Sequence, residues 1–357
     1  MQILKETINR INKIDNSLAG KTQKRLDNLT KPQGSLGRLE DLAKQVVEIT
    51  RIDNPLLKSK VIFTMAGDHG VTEEGVSAFP KEVTPQMVYN FINGGAGINV
   101  LARHAGARVV VVDMGVAEEL KVKSEKLKVK KVNLGTKNFT KGNAMTKEEA
   151  IRSIEAGIEI FEEELKNGID IAGTGDMGIG NTTPSSAIVS SITGCKAEDV
   201  TGRGTGIDDK GLANKIETIK KGLLINKPNP EDGLDVLSKV GGFEIGGLAG
   251  VILAAASHRV PVVIDGFISG AAALVAYTIE PKTKDYMIAS HCSVEKGHKV
   301  ILDFIGLNPV LNLNLRLGEG TGAALAMTVI EAGVKILNEM ATFESAGVSE
   351  KSIEHGA

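Results

Sequence analysis

Three glycine-rich turns of the chain each contain Gly-Thr-Gly: Gly173–Thr183, Gly202–Gly206 and Gly318–Gly322. Such turns present bare backbone N–H groups, and a helix that follows adds its dipole to the attraction for an anion. The first turn follows a predicted strand and opens a predicted helix, so Asn181 and Thr182 would add hydrogen bonds to the same anion. Each turn alone is equally compatible with a structural role. Together, the three indicate a phosphate-bearing ligand.

Glu319 lies between two glycines of the third turn, ahead of a predicted helix. Because its sequence neighbours carry no side chains, we expect its carboxylate to reach freely into a cleft. Partial desolvation beside a ligand would raise its pKa toward a value suited to proton abstraction. The alternative role is to help cap the following helix. The residues alone leave both roles open.

Metal and dinucleotide motifs are weak or absent in the sequence. None of the six histidines pairs as His-x-x-x-His or His-Glu-x-x-His, and Asp208 and Asp209 resemble a helix start more than a Mg²⁺ site. Residues 173–178 match the dinucleotide fingerprint in form, but Glu198 and Asp199 do not follow an apolar strand as that fingerprint requires. An NAD-linked dehydrogenase and a nucleotide sensor without turnover remain the alternatives to a transferase.

The composition favours a small-molecule ligand, and it favours a protein that works in a reducing compartment. The net charge is -2, and three Tyr, nine Phe and no Trp leave few platforms for stacking nucleic-acid bases. Cys195 and Cys292 are the only cysteines, and no signal peptide precedes them, so we expect a cytoplasmic protein. The most apolar segment, Leu248–Ala256, is too short to span a membrane and indicates a buried helix.

Short apolar runs alternate with helix-like segments along the chain and end in Gly, Asp, Ser or His. This alternation predicts an α/β fold with a doubly wound, mostly parallel sheet, whose ligand crevice lies beyond the carboxyl ends of the strands. His69 and His291 lie at two of these ends and either touch ligand or stabilise a turn. The predicted strands are Lys60–Met65, Arg108–Gly115, Gly168–Gly173, Val260–Gly266 and Tyr286–Ser290, and the predicted helices include Thr146–Asn167, Thr182–Thr193 and Phe243–Ser257.

The two ends of the chain show helical periodicity. Residues 3–52 are helical with a turn at Lys31–Gly34, and Thr321–Phe343 predicts one long helix. We expect residues 1–55 and 321–357 to form a small helical domain and residues 56–320 to form the catalytic domain.

Six segments, in this order, resemble the nicotinate-nucleotide:dimethylbenzimidazole phosphoribosyltransferases that activate the lower ligand of cobamides. The likeness covers nearly the whole chain. It implies a Rossmann-like sheet, a small helical domain made from both termini and a homodimer. Because the transfer needs no metal, we expect no cofactor. The segments are Leu29–Ala43, Ala66–Val71, Gly178–Thr183, Gly202–Gly206, Asp265–Phe267 and Leu315–Gly322.

The resemblance also implies roles for individual residues. Glu319 matches the proposed base, which takes a proton from a benzimidazole as its nitrogen attacks C1′ of nicotinate mononucleotide. Asp176 stands where the family often has Glu, one methylene longer, and is an auxiliary carboxylate. The residues implied to hold the nucleotide are Gly178, Ile179, Gly180, Asn181, Thr182, Gly204, Gly206, Gly266, Ser293, Arg316, Leu317 and Gly318.

The acceptor pocket implied by the resemblance is formed by the stretch that follows Ala66–Val71. Its candidate residues are Phe79, Gln86 and Met87, and Phe79 replaces what can be a small polar residue or Tyr. The acceptor therefore stays open among dimethylbenzimidazole, benzimidazole, adenine and a phenol.

Overall fold

The computed structural model describes residues 1–121 and 124–349 and contains one six-stranded sheet. All its strand pairs are parallel, and their order is β3-β2-β1-β4-β5-β6. The predicted doubly wound parallel sheet is confirmed. The order reverses at β1 and β4, where such sheets open a ligand crevice. The strands are β1 Lys60–Gly67, β2 Ala107–Gly115, β3 Leu127–Val129, β4 Ile171–Met177, β5 Val262–Ile264 and β6 Met287–Ala289.

Helices occupy most of the connections between strands. Two short 3₁₀ helices cover Gly70–Glu74 and Pro281–Tyr286. The α-helices are α1 Gln2–Arg10, α2 Ala19–Asp27, α3 Arg38–Thr50, α4 Val83–Asn93, α5 Gly97–Ala105, α6 Lys147–Leu165, α7 Thr182–Thr193, α8 Ala197–Val200, α9 Asp209–Asn226, α10 Gly233–Val240, α11 Phe243–Ser257, α12 Phe267–Ile279, α13 Lys296–Ile305, α14 Thr321–Glu339 and α15 Phe343–Ala346.

Strand β1 is buried along its whole length because both faces of the sheet are covered. On one face, Met65 contacts α11, where a Cβ on Gly247 would lie 2.4 Å from the Met65 sulfur. On the other face, Thr64 donates a hydrogen bond to the Glu319 carbonyl just before α14. Residues 248–256 lie inside α11 and are buried, as the apolar run predicted.

Several predicted boundaries agree with the structure, and the differences have local causes. Helices α7 and α11 begin and end at the predicted residues. Thr146 is the N-cap of α6, and its hydroxyl accepts from the Glu149 N–H. Strand β3 was not predicted because Leu-Lys-Val is too short to show a period. Helix α14 ends at Glu339 rather than at the predicted Phe343.

The chain divides into two compact units at positions that differ from the predicted domain boundaries. The first unit contains Met1–Lys13 and Ser59–Met327, and the second contains Ile14–Lys58 and Thr328–Ala357. Helix α1 belongs to the first unit, because Leu4 is buried and its N–H donates to Glu155 of α6. The core of the second unit contains Leu26, Leu29, Ala43, Val47 and Leu337. Among the described residues, no helix has the length and apolarity to cross a membrane.

Candidate active site

Glu319 lies at the switch point of the sheet, in the loop before α14. Its backbone has a left-handed φ of 62°, and its carbonyl accepts a hydrogen bond of 2.9 Å from Thr64 of β1. Gly175 of β4 lies so close that a Cβ there would be 2.2 Å from the Glu319 carbonyl oxygen. The two central strands therefore fix the backbone of this residue, and only glycine fits at position 175.

The Glu319 carboxyl group is buried rather than free, with the residue only 5 % exposed. The expectation of an unshielded side chain was wrong, because residues distant in sequence surround it. Its Oε2 accepts a hydrogen bond of 3.0 Å from the Ile98 N–H, in the first turn of α5. Burial raises the pKa of Glu319, and the bond from Ile98 opposes this shift. The predicted direction of the pKa is confirmed, and a raised pKa makes the group a better proton acceptor.

Two further carboxyl groups are buried beside this loop. Asp265, after β5, accepts hydrogen bonds from the N–H groups of Gly320 and Ala323, and burial raises its pKa to about 7. Asp176, at the end of β4, accepts a bond of 2.9 Å from the Asn181 side chain, and burial and Asp265 raise its pKa well above the ordinary value. A Cβ on Gly318 would lie 3.2 Å from Asp176, so the carboxyl groups of β4 and β5 both support the Glu319 loop.

The turn after β4 leads directly into α7, as predicted, and a buried lysine lies beside it. Lys215 of α9 is fully buried, and its Nζ donates a hydrogen bond of 2.6 Å to the Thr182 hydroxyl. A Cβ on Gly204 would lie 3.2 Å from the same Nζ. Burial lowers the pKa of Lys215 to about 8, against a smaller opposing effect of Glu295. Two of the predicted glycine-rich turns thus meet over one cation.

The third turn reaches the same place. Arg316 is exposed, and its guanidinium donates a hydrogen bond of 3.2 Å to the Gly204 carbonyl. Leu317 is 61 % exposed, and Gly318 has a left-handed φ of 80°. The loop 316–319 therefore runs from the second glycine turn to the buried carboxyl group of Glu319. All three turns converge at the carboxyl ends of the strands.

Gly266 and Ser293 occupy the loops that follow β5 and β6. Gly266 precedes α12 as its N-cap, and a Cβ there would lie 3.6 Å from His291. The Ser293 N–H donates to Nδ1 of His298, and its hydroxyl accepts from the Glu295 N–H. Ser293 is buried, so its position is fixed by these contacts.

The histidines at the strand ends make intramolecular hydrogen bonds. Nε2 of His69 lies 2.8 Å from the Glu244 carboxylate, and both side chains are buried. His291 lies 2.9 Å from the Ser290 hydroxyl, and burial lowers its pKa to about 4. These contacts fit the turn-stabilising interpretation of both residues.

The expected acceptor stretch lies beside the first and second glycine-rich turns. The Thr84 hydroxyl accepts from the Ile179 N–H, and the Ala78 N–H donates to Thr205. The side chains of the predicted pocket differ in exposure: Phe79 is 54 % exposed, Gln86 is exposed and Met87 is half-buried.

The two acidic pairs that were candidates for metal or ribose binding, Asp208 with Asp209 and Glu198 with Asp199, have other structural roles. Asp208 is the N-cap of α9, where its carboxylate accepts from the Gly211 N–H, and Asp209 pairs with Arg203. The interpretation of this pair as a helix start is confirmed. Glu198 and Asp199 lie in the short helix α8 rather than at a strand tip. Within residues 1–121 and 124–349, no group of three or more His, Cys or acidic side chains has an arrangement that holds a metal.

Comparisons with known proteins place this arrangement in a family. A family model described as phosphoribosyltransferase matches residues 11–348. The chain belongs to this phosphoribosyltransferase family. It is 59 % identical over 350 residues to the nicotinate-nucleotide–dimethylbenzimidazole phosphoribosyltransferase of Geobacter sulfurreducens, covering 98 % of this chain and 99 % of that protein. It is 57 % identical over 350 residues to the enzyme of the same name from Desulforudis audaxviator, with coverages of 98 % and 99 %.

A solved structure in the family gives the same fold. The crystal structure of CobT from Thermus thermophilus superposes with a TM-score of 0.90 at 42 % identity, covering 93 % of this chain and 99 % of that one. The family resemblance, the transferase class and the α/β fold expected from sequence are thereby confirmed.

Two buried charged residues beside the glycine-rich turns of this phosphoribosyltransferase, Lys215 and Glu295, were not among the site residues predicted from sequence. A pattern in α9 marks Lys215, since the buried residues Ile219 and Gly222 follow it at helical spacing and place it on the buried face. A lysine at such a position needs a polar partner. Glu295 gives no comparable pattern.

Proposed function

We propose that this phosphoribosyltransferase moves α-ribose 5-phosphate from nicotinate mononucleotide to a lower-ligand base such as 5,6-dimethylbenzimidazole. The products are α-ribazole phosphate and nicotinate, and the step belongs to the assembly of the cobamide nucleotide loop. The observation that carries the proposal is the loop 316–319, which joins the second glycine turn to a buried carboxyl group with a raised pKa. A phosphate site and a proton acceptor lie at the two ends of one short loop.

The donor phosphate binds at the end of the loop where two glycine turns meet. Lys215 supplies the positive charge, and the Thr182 hydroxyl that it contacts supplies a further hydrogen bond. The turn of residues 178–182 leads into the start of α7, where the helix dipole favours an anion. The remaining proposed contacts to the nucleotide come from Gly204, Gly206, Gly266, Ser293, Arg316, Leu317 and Gly318.

The chemistry is a displacement at C1′ of the ribose. The acceptor nitrogen forms a bond to C1′ as the bond from C1′ to the pyridinium nitrogen breaks, and the electrons of the broken bond neutralise that nitrogen. Attack from the opposite face converts the β-nucleotide into an α-nucleotide. The acceptor loses its N–H proton to Glu319, whose buried carboxylate is held by Ile98. Orientation of the two substrates and removal of this proton supply the catalysis.

Asp176 acts on the reaction through its neighbours. Its carboxyl group accepts a hydrogen bond from Asn181, in the turn after β4, and lies beside Gly318 of the loop 316–319. It therefore couples the position of the donor to the position of Glu319.

The acceptor base enters between the stretch 77–87 and the loop 316–319. Phe79 offers an exposed aromatic ring against which a planar base can stack. Dimethylbenzimidazole, benzimidazole, adenine and phenols all have such a plane, and a phenol would attack through oxygen with the same proton acceptor. Gln86 and Met87 of α4 form the rest of this pocket.

The protein works as a cytoplasmic homodimer in this proposal. Both cysteines, Cys195 and Cys292, are free thiols, which suits a reducing compartment. Light scattering of the purified chain, in parallel with the activity assay, tests the dimer.

The decisive experiment combines the protein with nicotinate mononucleotide and a panel of bases. Nicotinate release and formation of the α-ribotide are followed by chromatography. We expect stoichiometric release of nicotinate with dimethylbenzimidazole and no release without a base. If no base releases nicotinate, the proposed function is wrong.

A further inference from the structure

Glu295 is the N-cap residue of α13, but its side chain does not cap that helix. It turns instead toward the Gly202–Gly206 loop, where its Oε1 accepts a hydrogen bond of 3.2 Å from the Gly204 N–H. The approach requires glycine at position 202, since a Cβ there would lie 1.9 Å from Oε2 of Glu295. The Glu295 carboxylate therefore holds the distant Gly202–Gly206 loop rather than the start of α13.

The same loop covers the Lys215 ammonium group. Lys215 Nζ is hydrogen-bonded to Thr182, and a Cβ on Gly204 would approach it to 3.2 Å. Both Glu295 and Lys215 are buried, at 9 % and 0 % exposure. Oε2 of Glu295 has no hydrogen-bond partner within the described part of the chain. A carboxylate and an ammonium thus flank one glycine loop out of contact with bulk water.

We propose that Glu295 is a positioning residue of the donor phosphate subsite, which holds the Gly204 loop over Lys215 and balances the charge of that lysine. The inference rests on the proposed function, because it assigns the anion of this subsite to the phosphate of nicotinate mononucleotide. A carboxylate this close to a phosphate would repel it unless a cation lay beside it. With Lys215 present, Glu295 fixes the Gly204 loop through its N–H while the lysine supplies the cation for the phosphate, and Glu295 itself does not contact the ligand.

The electrostatic consequence concerns the pH range of donor binding. Burial lowers the pKa of Lys215 to about 8, and Glu295 acts in the opposite direction. The other charged groups at this loop are Arg316, which donates to the Gly204 carbonyl, and the ion pair of Arg203 with Asp209. Removal of the Glu295 charge takes away the acid that raises the pKa of Lys215, so that pKa falls further. Less of the lysine is then protonated at neutral pH.

Glu295→Gln separates charge from shape, because Gln keeps an oxygen that accepts from Gly204. We measure the dissociation constant of nicotinate mononucleotide by calorimetry, and KM and kcat, across about pH 6 to 9. We expect donor affinity to fall about fivefold near pH 8 and to recover toward pH 6, since a pKa lowered by about one unit from about 8 reduces the protonated fraction at pH 8 from about one half to about one tenth. We expect kcat at saturating donor to change less than about twofold, since Glu295 contacts no reacting atom.

The controls separate this inference from a general loss of structure. Glu198→Gln removes an exposed acid that pairs with Lys220 and should leave the pH profile unchanged. Nicotinate riboside, which lacks the phosphate, should bind the wild type and Glu295→Gln equally. Glu295→Asp keeps the charge and should keep the wild-type pH profile even if the loop loosens. Thermal melting of every variant identifies unfolding.

A uniform loss of affinity at every pH, or an unchanged profile in Glu295→Gln, would overturn the role of Glu295. Either result with an active wild type leaves the proposed function intact. If the wild type releases no nicotinate, the proposed function fails. The calorimetric comparison of mononucleotide and riboside then still decides whether Glu295 supports a phosphate subsite.

Discussion

Glu319→Gln is the substitution that tests the proposed base most directly. Gln has nearly the same shape and keeps a side-chain oxygen to accept from the Ile98 N–H, so we expect the loop and the fold to persist. It cannot take up a proton at working pH. The variant therefore removes the proton acceptor and leaves the donor subsite around Lys215 in place.

The expected loss follows from the role of the group. General-base catalysis contributes about 100-fold to 10,000-fold, which corresponds to about 3 to 5 kcal/mol of transition-state stabilisation. We expect kcat to fall within this range. KM for nicotinate mononucleotide should change less than about twofold, because the residue acts on the acceptor rather than on the donor phosphate.

The pH dependence gives an independent readout. Burial raises the pKa of Glu319, and the carboxylate must be ionised to accept a proton, so the wild-type rate should rise with pH through this raised pKa. Glu319→Gln should lose this rise.

Steady-state assays of nicotinate release measure both the loss in kcat and the loss of this pH dependence. Glu163→Gln, a partly exposed acid on α6, serves as the matched control. Near-normal turnover in Glu319→Gln would remove Glu319 as the base.

Three further substitutions or conditions follow from the same site. Donor affinity of the wild type should decrease as pH rises through about 8, because Lys215 loses its proton there; calorimetry in buffers on both sides of this pH measures it, and a flat profile contradicts the assignment. Gly175→Ala should lower the free energy of unfolding by about 1 to 3 kcal/mol and remove most of the activity, because the new Cβ overlaps the Glu319 carbonyl. In Gly20→Ala the Cβ meets no described atom within 4 Å, so that variant should melt no lower. Phe79→Ser should change the ratio of kcat/KM between dimethylbenzimidazole and a phenol by about tenfold or more, with KM for the donor unchanged. If the variant and the wild type have the same ratio, the Phe79 ring does not line the acceptor pocket.

The order of the elements could be predicted from sequence because local patterns determine it. A fully buried parallel strand needs a continuous apolar run, and β1, β2 and β4 have such runs or end in glycine-rich turns. Helices α7 and α11 each follow a glycine-containing segment and end before a Gly or a His, so their bounds could be predicted from the sequence. Strand β3 and the assignment of α1 to the first unit depend on contacts with distant residues, which no local pattern reports.

The candidate site was predictable in its turns but not in its supporting groups. The glycine turns are visible in the local composition. The burial of Glu319 depends on Ile98, which lies 221 positions away in sequence, and the role of Glu295 depends on a loop 91 positions away. The sequence around an isolated acidic residue does not show which distant groups it will contact. Their chemistry appears only when the fold brings distant segments together.

Asp176 illustrates how this distant environment changes the chemistry that a residue type suggests. Its Oδ1 has no hydrogen-bond partner among the described residues, and burial together with Asp265 raises its pKa well above the ordinary range. A carboxyl group in such a place favours the protonated, neutral form. It then orients Asn181 and the Gly318 loop but does not compete with Glu319 for the proton of the acceptor.

Asp176→Asn therefore distinguishes a neutral carboxyl group from an ionised one. Asn resembles a protonated Asp in shape, charge and donor capacity, so we expect the variant to keep turnover within about tenfold of the wild type near neutral pH, far above Glu319→Gln. Asp176→Ala, which loses the contact with Asn181, should raise KM for the donor. Steady-state kinetics of the three variants side by side gives the comparison. If Asp176→Asn is as inactive as Glu319→Gln, the reaction requires an ionised Asp176, and the two carboxylates must act as a pair.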